Sequence, residues 1–556
     1  MDWSREFDII VIGSGGSGMM AASRAAHEGA KVLLVEKSQR FGGTTALSGG
    51  CIWVPANHLQ ANPQKDSPQL ALKYLKNLTK GSVEDSILET YIEQSPKMLR
   101  FLDKESRLNL VACEKYCDYY PEVDGGLEGS RTVEPDYFDG QSLKEDRKLL
   151  RDPQKLTLMF GKISLTAREA HHLTTSGRQG KMLALKKASK YFLNPFSHRR
   201  HGRDRNLALG QSLVAGMWAM MRSKNVTVDL NTSVSRIISD TGRVIGIETK
   251  SGDQTESIGA KSGIILACGG FSRNQAFKQK HHGPNTQASW GAAVSEDTGD
   301  AYQFCQELAP ATALMDEAWW MPVMKVPGED FARSIVVDRS LPGSIVVDME
   351  GHRFTNESAP YEDFVKSMFQ RKAPHTAWLI VDAYHRKKFP LGPLLPGAYH
   401  PKSLWPAELK TWIKSADSVS GLAKEIDVNQ KVLEATITEF NQNANQGQDP
   451  KFGRGQSAYD RYYADQSVGQ NPCLKPLEAP YYAVKLYPGD LGSKGGFVVN
   501  ERAQVLNQNQ EPIEGLYAAG NAAANPLGNI YPGAGGTLGP GLTFGYIAAE
   551  TALQCH

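Results

Sequence analysis

The first 36 residues narrow the fold more than any other feature. Phe7–Ile12 is a short, nearly continuous apolar run, the pattern of a parallel strand buried on both faces. Gly13, Gly15 and Gly18 follow at once in G-x-G-x-x-G spacing. Met19–Ala26 then reads as a helix packed on that strand, and Lys31–Val35 as a second parallel strand ending in Glu36. In such a unit the first glycine permits a tight turn, the second lets the backbone approach a pyrophosphate, and the third allows close helix packing. The helix N-terminus meanwhile offers unpaired amides to the anion. Glu36 stands where a carboxylate accepts hydrogen bonds from ribose hydroxyls, and Ser14 and Lys37 beside these positions join the candidate cofactor-binding set. The unit predicts an α/β chain built around a dinucleotide.

The following segment chooses between dinucleotides. Gly42, Gly43, Thr44, Thr45, Ala46, Ser48, Gly49 and Gly50 form a small-residue stretch against which a long cofactor can lie. It resembles the G-G-T-T/S-A-x-S-G-G segment of the fumarate-reductase-like flavoprotein superfamily, which runs along FAD. Ile264–Gly270, with Ala267, Gly269 and Gly270, resembles another nucleotide-side strand of that superfamily; Gly515–Asn521, with Gly520 and Asn521, resembles the strand that closes the site. Three matches in the expected order imply FAD, with Val234, Gly536 and Leu538 completing the implied set. They also imply a discontinuous Rossmann-like FAD-binding domain, residues 1–275 and 486–556, with a helical excursion over about 66–205. An α+β catalytic domain, residues 276–485, is inserted between the two parts, and the active site falls at the junction.

Composition sets bounds on the rest. At 556 residues the chain exceeds what one core usually serves. A net charge of +2 gives no reason to expect nucleic acid. Seven cysteines without regular spacing make neither a disulfide framework nor a metal site. No apolar run is long enough to cross a bilayer, and the chain passes from Met1 almost directly into a strand, leaving no room for a signal peptide. The reading is a cytoplasmic protein. One stretch, 178–205, clusters Lys and Arg around Tyr191, Phe192, Leu193 and Phe196. It reads either as a solvated helix face or as a peripheral contact with anionic lipid.

Three segments carry the chemistry. Gly351–Tyr361 resembles the G-x-R-F-x-N-E motif of the superfamily, in which fumarate reductases place a proton-delivering arginine five residues after the asparagine. Here that place is Tyr361, a phenol able to serve as a base if its pKa is lowered. The histidine-bearing stretch of those reductases corresponds to Leu491–Gly496, which has no imidazole. Tyr531-Pro532-Gly533-Ala534-Gly535 resembles the Y-P-G-A-G of the 3-ketosteroid Δ1-dehydrogenases, and Asp118-Tyr119-Tyr120-Pro121 resembles their D-Y-x-P. That resemblance, which spans nearly the whole chain, implies that Tyr531 and the Gly535 amide hold a 3-keto oxygen. It also implies that Tyr361 removes the carbon-2 proton assisted by Tyr119, with Tyr120 as fallback, and that the carbon-1 hydride passes to flavin N5. The carrier that reoxidises the flavin, a quinone or another acceptor, is left open. Trp290, Trp319, Trp320, Met321 and Phe354 are candidates for an apolar lining or for core. The alternatives are a Δ4-(5α)-3-ketosteroid dehydrogenase, which tends to carry serine where Gly533 stands, a fumarate-type enoate reductase, and an electron-transfer subunit lacking a base.

Overall fold

Runs of β-branched residues punctuated by glycine produce two principal sheets, and the site lies between them. The computed structural model describes residues 2–175, 177–193 and 204–554. β1 (Arg5–Ile12), helix α1 (Gly16–His27) and β2 (Val32–Val35) form the opening unit. Ile9, Ile10, Val11, Leu33 and Leu34 are wholly buried, the reason these strands read as unbroken apolar runs.

Between this unit and the rest of the sheet lie the helices Pro68–Thr79 and Asp85–Glu105, short strands, and the pair α2 (Ala167–Thr175) and α3 (Gly177–Phe192). Part of the basic stretch, residues 194–203, lies outside the described residues. β3 (Thr227–Asp229) adds beside β2, and β4 (Ser233–Asp240), β5 (Arg243–Ser251) and β6 (Gln254–Leu266) form an antiparallel meander. β6 is long enough to do two jobs. Its first half pairs with β5, and its end runs parallel to β1 with Leu266 opposite Ile12.

The chain then builds a second, antiparallel sheet from β7 (Ala318–Met324), β8 (Ser344–Asp348), β9 (Ala377–Val381) and β10 (Tyr481–Ser493), in the order β7-β10-β9-β8. Helix α4 (Tyr361–Phe369) packs on it through Phe364, Val365 and Met368. β10 passes straight through residue 485, where the sequence suggested re-entry into the nucleotide domain. Pairing with β9 up to Leu486 and with β7 up to Ser493 keeps it in the second sheet. β11 (Pro512–Ala518) returns to run parallel to β6, and helix α5 (Leu538–Gln554), rich in small residues, packs against α1.

Candidate active site

The nucleotide end begins at the turn after β1. A Cβ at Gly18 would stand 2.0 Å from the Gly13 carbonyl oxygen, whereas one at Gly15 would meet nothing nearer than Thr45 Oγ1 at 3.9 Å. Gly18 therefore lets α1 sit on the turn, while Gly15 leaves room for a group to approach the backbone. At the end of β2, one carboxylate oxygen of Glu36 accepts from the Ser14 amide (3.0 Å) and hydroxyl (2.6 Å), and the other accepts from the Ser38 amide (2.8 Å). Lys37 turns its ammonium to Thr298 at 2.8 Å and to Asp300.

From this turn a cavity of about 570 Å³ runs towards the second sheet. Gly13, Ser14, Gly15, Glu36 and Lys37 bound one end; Gly43, Thr44, Thr45, Ser48, Gly49 and Gly50 form a wall. Val234, Ala267, Gly269, Gly520, Asn521 and Leu538 also line it. Gly18, Gly270 and Gly536 do not: each is pressed against neighbouring chain, Gly270 so closely to Ser493 that a Cβ would stand 1.9 Å from its hydroxyl. The donor set suits FAD: an open glycine turn at a helix N-terminus, a carboxylate at ribose distance along the chain, a wall of small residues, and a second helix N-terminus at Leu538.

The other end of the same cavity holds Tyr119, Tyr361, Tyr531 and Gly535. Tyr361 is the first residue of α4, at the positive end of the helix. The loop delivering it is braced by the charged residues of its own motif. Arg353 is paired with Glu357 and with Asp449 at 2.7 and 2.8 Å, Glu357 accepts from the Val346 amide at 3.1 Å, and Asn356 donates to Asp460 at 2.8 Å. Those residues are scaffold, and the phenol is what they present.

The Tyr119 and Tyr361 hydroxyls share a hydrogen bond of 2.6 Å, and their rings meet edge-on at 5.3 Å. Tyr120 instead pairs its hydroxyl with Asp363. The Tyr531 ring lies 5.2 Å from Tyr361 and 5.0 Å from Tyr119, and its hydroxyl interacts with those of Tyr361 and Thr537. The loop after Tyr531 has its carbonyls engaged: Pro532 by the Tyr119 amide (3.0 Å) and Tyr74 hydroxyl (2.8 Å), Ala534 by Thr132 (3.0 Å), Gly535 by the Trp53 amide (3.1 Å). The Gly535 N–H has no hydrogen-bond partner among the described residues and lines the cavity. A tyrosine hydroxyl beside a spare amide is a donor pair suited to a carbonyl oxygen that gains charge.

Burial pushes the Tyr361 and Tyr119 phenols well above the usual value, with the neighbouring tyrosines adding to it, and pushes Tyr531 up to about 12. Beneath Tyr119, Arg131 bridges Asp66 (2.7 Å) and Asp118 (2.8 Å), and all three are buried. Asp118 also accepts from the Trp53 indole at 2.8 Å, and burial pushes its carboxyl up to about 6 against the pull of Arg131.

Of the aromatic candidates, Trp319 and Met321 line the cavity; Trp290 packs on Tyr487, and Trp320 and Phe354 belong to the core under α4. Sequence reasoning missed Asp297, which lines the cavity and accepts from the amides of Gly270 (2.6 Å) and Ser272 (3.2 Å). It also missed Tyr116, Tyr462 and Tyr463, which crowd the tyrosine end. The acidic Glu-Asp-Thr-Gly-Asp run at 296–300 and the paired tyrosines at 462–463 were the available signals.

Comparison with known proteins gives the family and the fold. A family model described as an FAD binding domain matches residues 8–538. A 3-oxosteroid 1-dehydrogenase of Mycolicibacterium smegmatis is 36% identical, covering 98% of this chain and 97% of its own. A 4-oxocyclohexanecarboxylate 2-dehydrogenase of Sinomonas cyclohexanicum is 31% identical over 98% of this chain and 92% of its own. The crystal structure of a 3-ketosteroid Δ1-dehydrogenase from Sterolibacterium denitrificans, in complex with 1,4-androstadiene-3,17-dione, superposes with a TM-score of 0.96 at 38% identity, covering both chains in full.

Proposed function

The chain belongs to the FAD-binding flavoproteins and, among them, to the 3-ketosteroid Δ1-dehydrogenases, and from that premise we propose that it desaturates ring A of a 3-ketosteroid between carbons 1 and 2. One observation carries the residue assignment: three tyrosines from distant segments and one unpaired amide converge in the cavity that begins at the dinucleotide turn. Bound FAD supplies the two-electron acceptor for the carbon-1 hydrogen. The residues that would hold it are Gly15, Glu36, the 43–50 wall, Asn521 and the α5 N-terminus.

The chain's own groups do the rest. The Tyr531 hydroxyl and Gly535 amide take the 3-keto oxygen and acidify carbon 2, and losing one donor of such a pair typically costs ~2.7–4 kcal/mol. Tyr361, as phenolate, accepts the carbon-2 proton, and Tyr119 stabilises that phenolate by donating to it. Gly533 supports Δ1 over Δ4-(5α) chemistry. A Cβ there would lie 2.6 Å from the Trp53 indole, so the serine of the latter enzymes has no room.

The source of substrate is part of the same reading. α2 lines the cavity with Ala167, Ala170, His171 and Thr174. Its neighbour α3 exposes Met182, Leu185 and Phe192, and Leu193 follows, among Arg178, Lys181, Lys186 and Lys190. No helix among the described residues is long and apolar enough to cross a membrane. Such a surface suits peripheral contact with an anionic bilayer from which an apolar ketone is drawn. Flotation with anionic but not zwitterionic vesicles, lost on Met182→Glu with Leu185→Glu, tests this; equal flotation of both proteins refutes it.

The main test is anaerobic mixing of the yellow holoenzyme with 4-androstene-3,17-dione, 4-cholesten-3-one, 4-oxocyclohexanecarboxylate and fumarate-reduction mixtures. Loss of the visible flavin band with a steroid is expected, followed by its return with a quinone or dye. Tyr361→Phe should keep its flavin spectrum yet fail to bleach. Bleaching at a near-normal rate in that variant refutes the base assignment, and response to the monocyclic ketone alone refutes the steroid.

A further inference from the structure

Arg339 is wholly buried, yet among the described residues no carboxylate lies within ion-pair distance of it. Arg131 and Arg353, comparably buried, each bridge two carboxylates. Arg339 has carbonyls instead. Its Nη1 donates to the main-chain oxygens of Glu357 and of Ala359 (2.7 Å), Nε reaches the Ile335 oxygen at 3.4 Å, and Nη2 has no partner. The guanidinium carbon sits 5.1 Å from the Phe364 ring centroid. Residues 357 and 359 precede α4 and Phe364 lies in its first turn, so this cation stands at the N-terminal end of the helix that begins with Tyr361.

That placement is unfavourable on two counts. An unpaired buried charge is expensive, and a cation at a helix N-terminus opposes the helix dipole. Both penalties fall if a negative charge stands nearby, and the base-active form of the site carries one, on the Tyr361 oxygen, until it takes the carbon-2 proton. Resident anions around Tyr361 and Arg339 are otherwise engaged: Glu362 with Lys494 (2.7 Å) and Lys366 (2.8 Å), Asp460 with Asn356 (2.8 Å) and the Gly455 amide (2.8 Å), Asp363 with Tyr120, and Asp338, which lines the cavity, with the Gly392 amide. Arg454, the other nearby cation, is paired with Glu357 at 3.4 Å. The phenols facing Tyr361 include those of Tyr119, Tyr531, Tyr459 and Tyr116, all held neutral by burial. Negative charge on Tyr459 or Tyr361 favours the charged guanidinium, and the attraction is mutual.

We propose that Arg339 is a positioning residue for the base: its main-chain bonds fix the turn that presents Tyr361, and its charge, held in no ion pair among the described residues, stabilises the Tyr361 phenolate. This rests on Tyr361 being the base.

The test is the pH profile of kcat/KM for Arg339→Gln, Arg339→Lys and Asp460→Asn holoenzymes, with flavin spectra and thermal melting as checks of folding. Arg339→Gln should move the acidic limb up by about one pH unit or more, a loss of roughly tenfold below the limb that narrows above it. Arg339→Lys keeps the charge but loses the carbonyl bonds, so it should lower kcat at every pH and leave the limb in place. Asp460→Asn, which removes an opposing anion, should move the limb down. A uniform loss across pH in Arg339→Gln, or an Asp460→Asn limb that stays or rises, overturns the proposal; the latter holds even if Arg339→Gln fails to fold. Tyr361→Phe run alongside separates the two readings. Retained turnover there overturns the base and this proposal with it, whereas lost turnover with an unmoved Arg339→Gln limb overturns only the proposal.

Discussion

Removing a single oxygen at Tyr119 tests the heart of the site. Among the described residues the Tyr119 hydroxyl bonds only that of Tyr361, at 2.6 Å, while its ring packs at 5.0–5.3 Å against Tyr361, Tyr459 and Tyr531. Tyr119→Phe keeps those ring contacts and deletes one donor. A hydrogen bond to a charged acceptor contributes about 1.5–3 kcal/mol. At ~1.36 kcal/mol per pKa unit, the Tyr361 phenol should rise by roughly 1–2 units. Burial already holds Tyr361 above its ordinary value, so its basic form is scarce at neutral pH and wild-type kcat/KM should climb into the alkaline range. In the variant that limb moves further up, and the rate at neutral pH falls about 10- to 100-fold, since one pKa unit is tenfold in phenolate. KM should change little, because Tyr119 is not one of the carbonyl donors. Steady-state dye reduction with a 3-keto-4-ene steroid across pH measures all three. An unmoved limb, or a loss carried wholly by KM, refutes the reasoning, as does a larger effect from Tyr120→Phe.

Gly535→Ala places a side chain at a φ of +92° with its Cβ 2.6 Å from the Cys51–Ile52 backbone, so the spare amide should swing away: KM rises and kcat falls while flavin stays bound. Titration of substrate against the flavin spectrum measures this. Arg131→Met strands Asp66 and Asp118 in the interior, and breaking a buried pair costs about 3–5 kcal/mol; the urea midpoint should drop sharply, and turnover with it, because Asp118 adjoins Tyr119. Burial works against Glu296, but Arg151 holds its carboxyl down to about 2 from an ordinary 4.5. A depressed carboxylate adds stability that is complete above the unfolded value and disappears as pH falls through the folded one, so Glu296→Gln should flatten the loss of stability between those two pH values, read by melting temperature.

What was legible in the sequence was whatever depends on neighbours along the chain. The opening turn could be read because the Gly13–Gly18 contact is made five residues apart and only glycine fits it. The cavity wall at 43–50 could be read because every residue of a short stretch had to be small. Aromatic lining could not be divided from core by composition, but strand alternation divides it. In β7, Trp319 and Met321 face the cavity, and Trp320, one residue out of phase, joins the core under α4. The Tyr119–Tyr361 bond joins residues 242 apart, so only resemblance to a family could pair them beforehand. Arg339 was illegible for a deeper reason, since its significance lies in a partner it does not have.

The arrangement also decides which parts of the site move as one. The Tyr119 amide bonds the Pro532 carbonyl, and the Tyr74 hydroxyl bonds both that carbonyl and the Tyr120 amide, so the base's partner and the carbonyl clamp are a single covalent-and-hydrogen-bonded unit on the nucleotide side. Tyr361 comes from the side of the other sheet, at the start of α4, behind a loop braced by Arg353, Glu357 and Asp449. The 2.6 Å bond between Tyr119 and Tyr361 is therefore a bond between two rigid supports. Its length reports their separation. A substitution far from the cavity that loosens either brace should act as Tyr119→Phe does, moving the acidic limb to higher pH before it affects substrate affinity, because the clamp stays with Tyr119 while the base alone drifts from its donor.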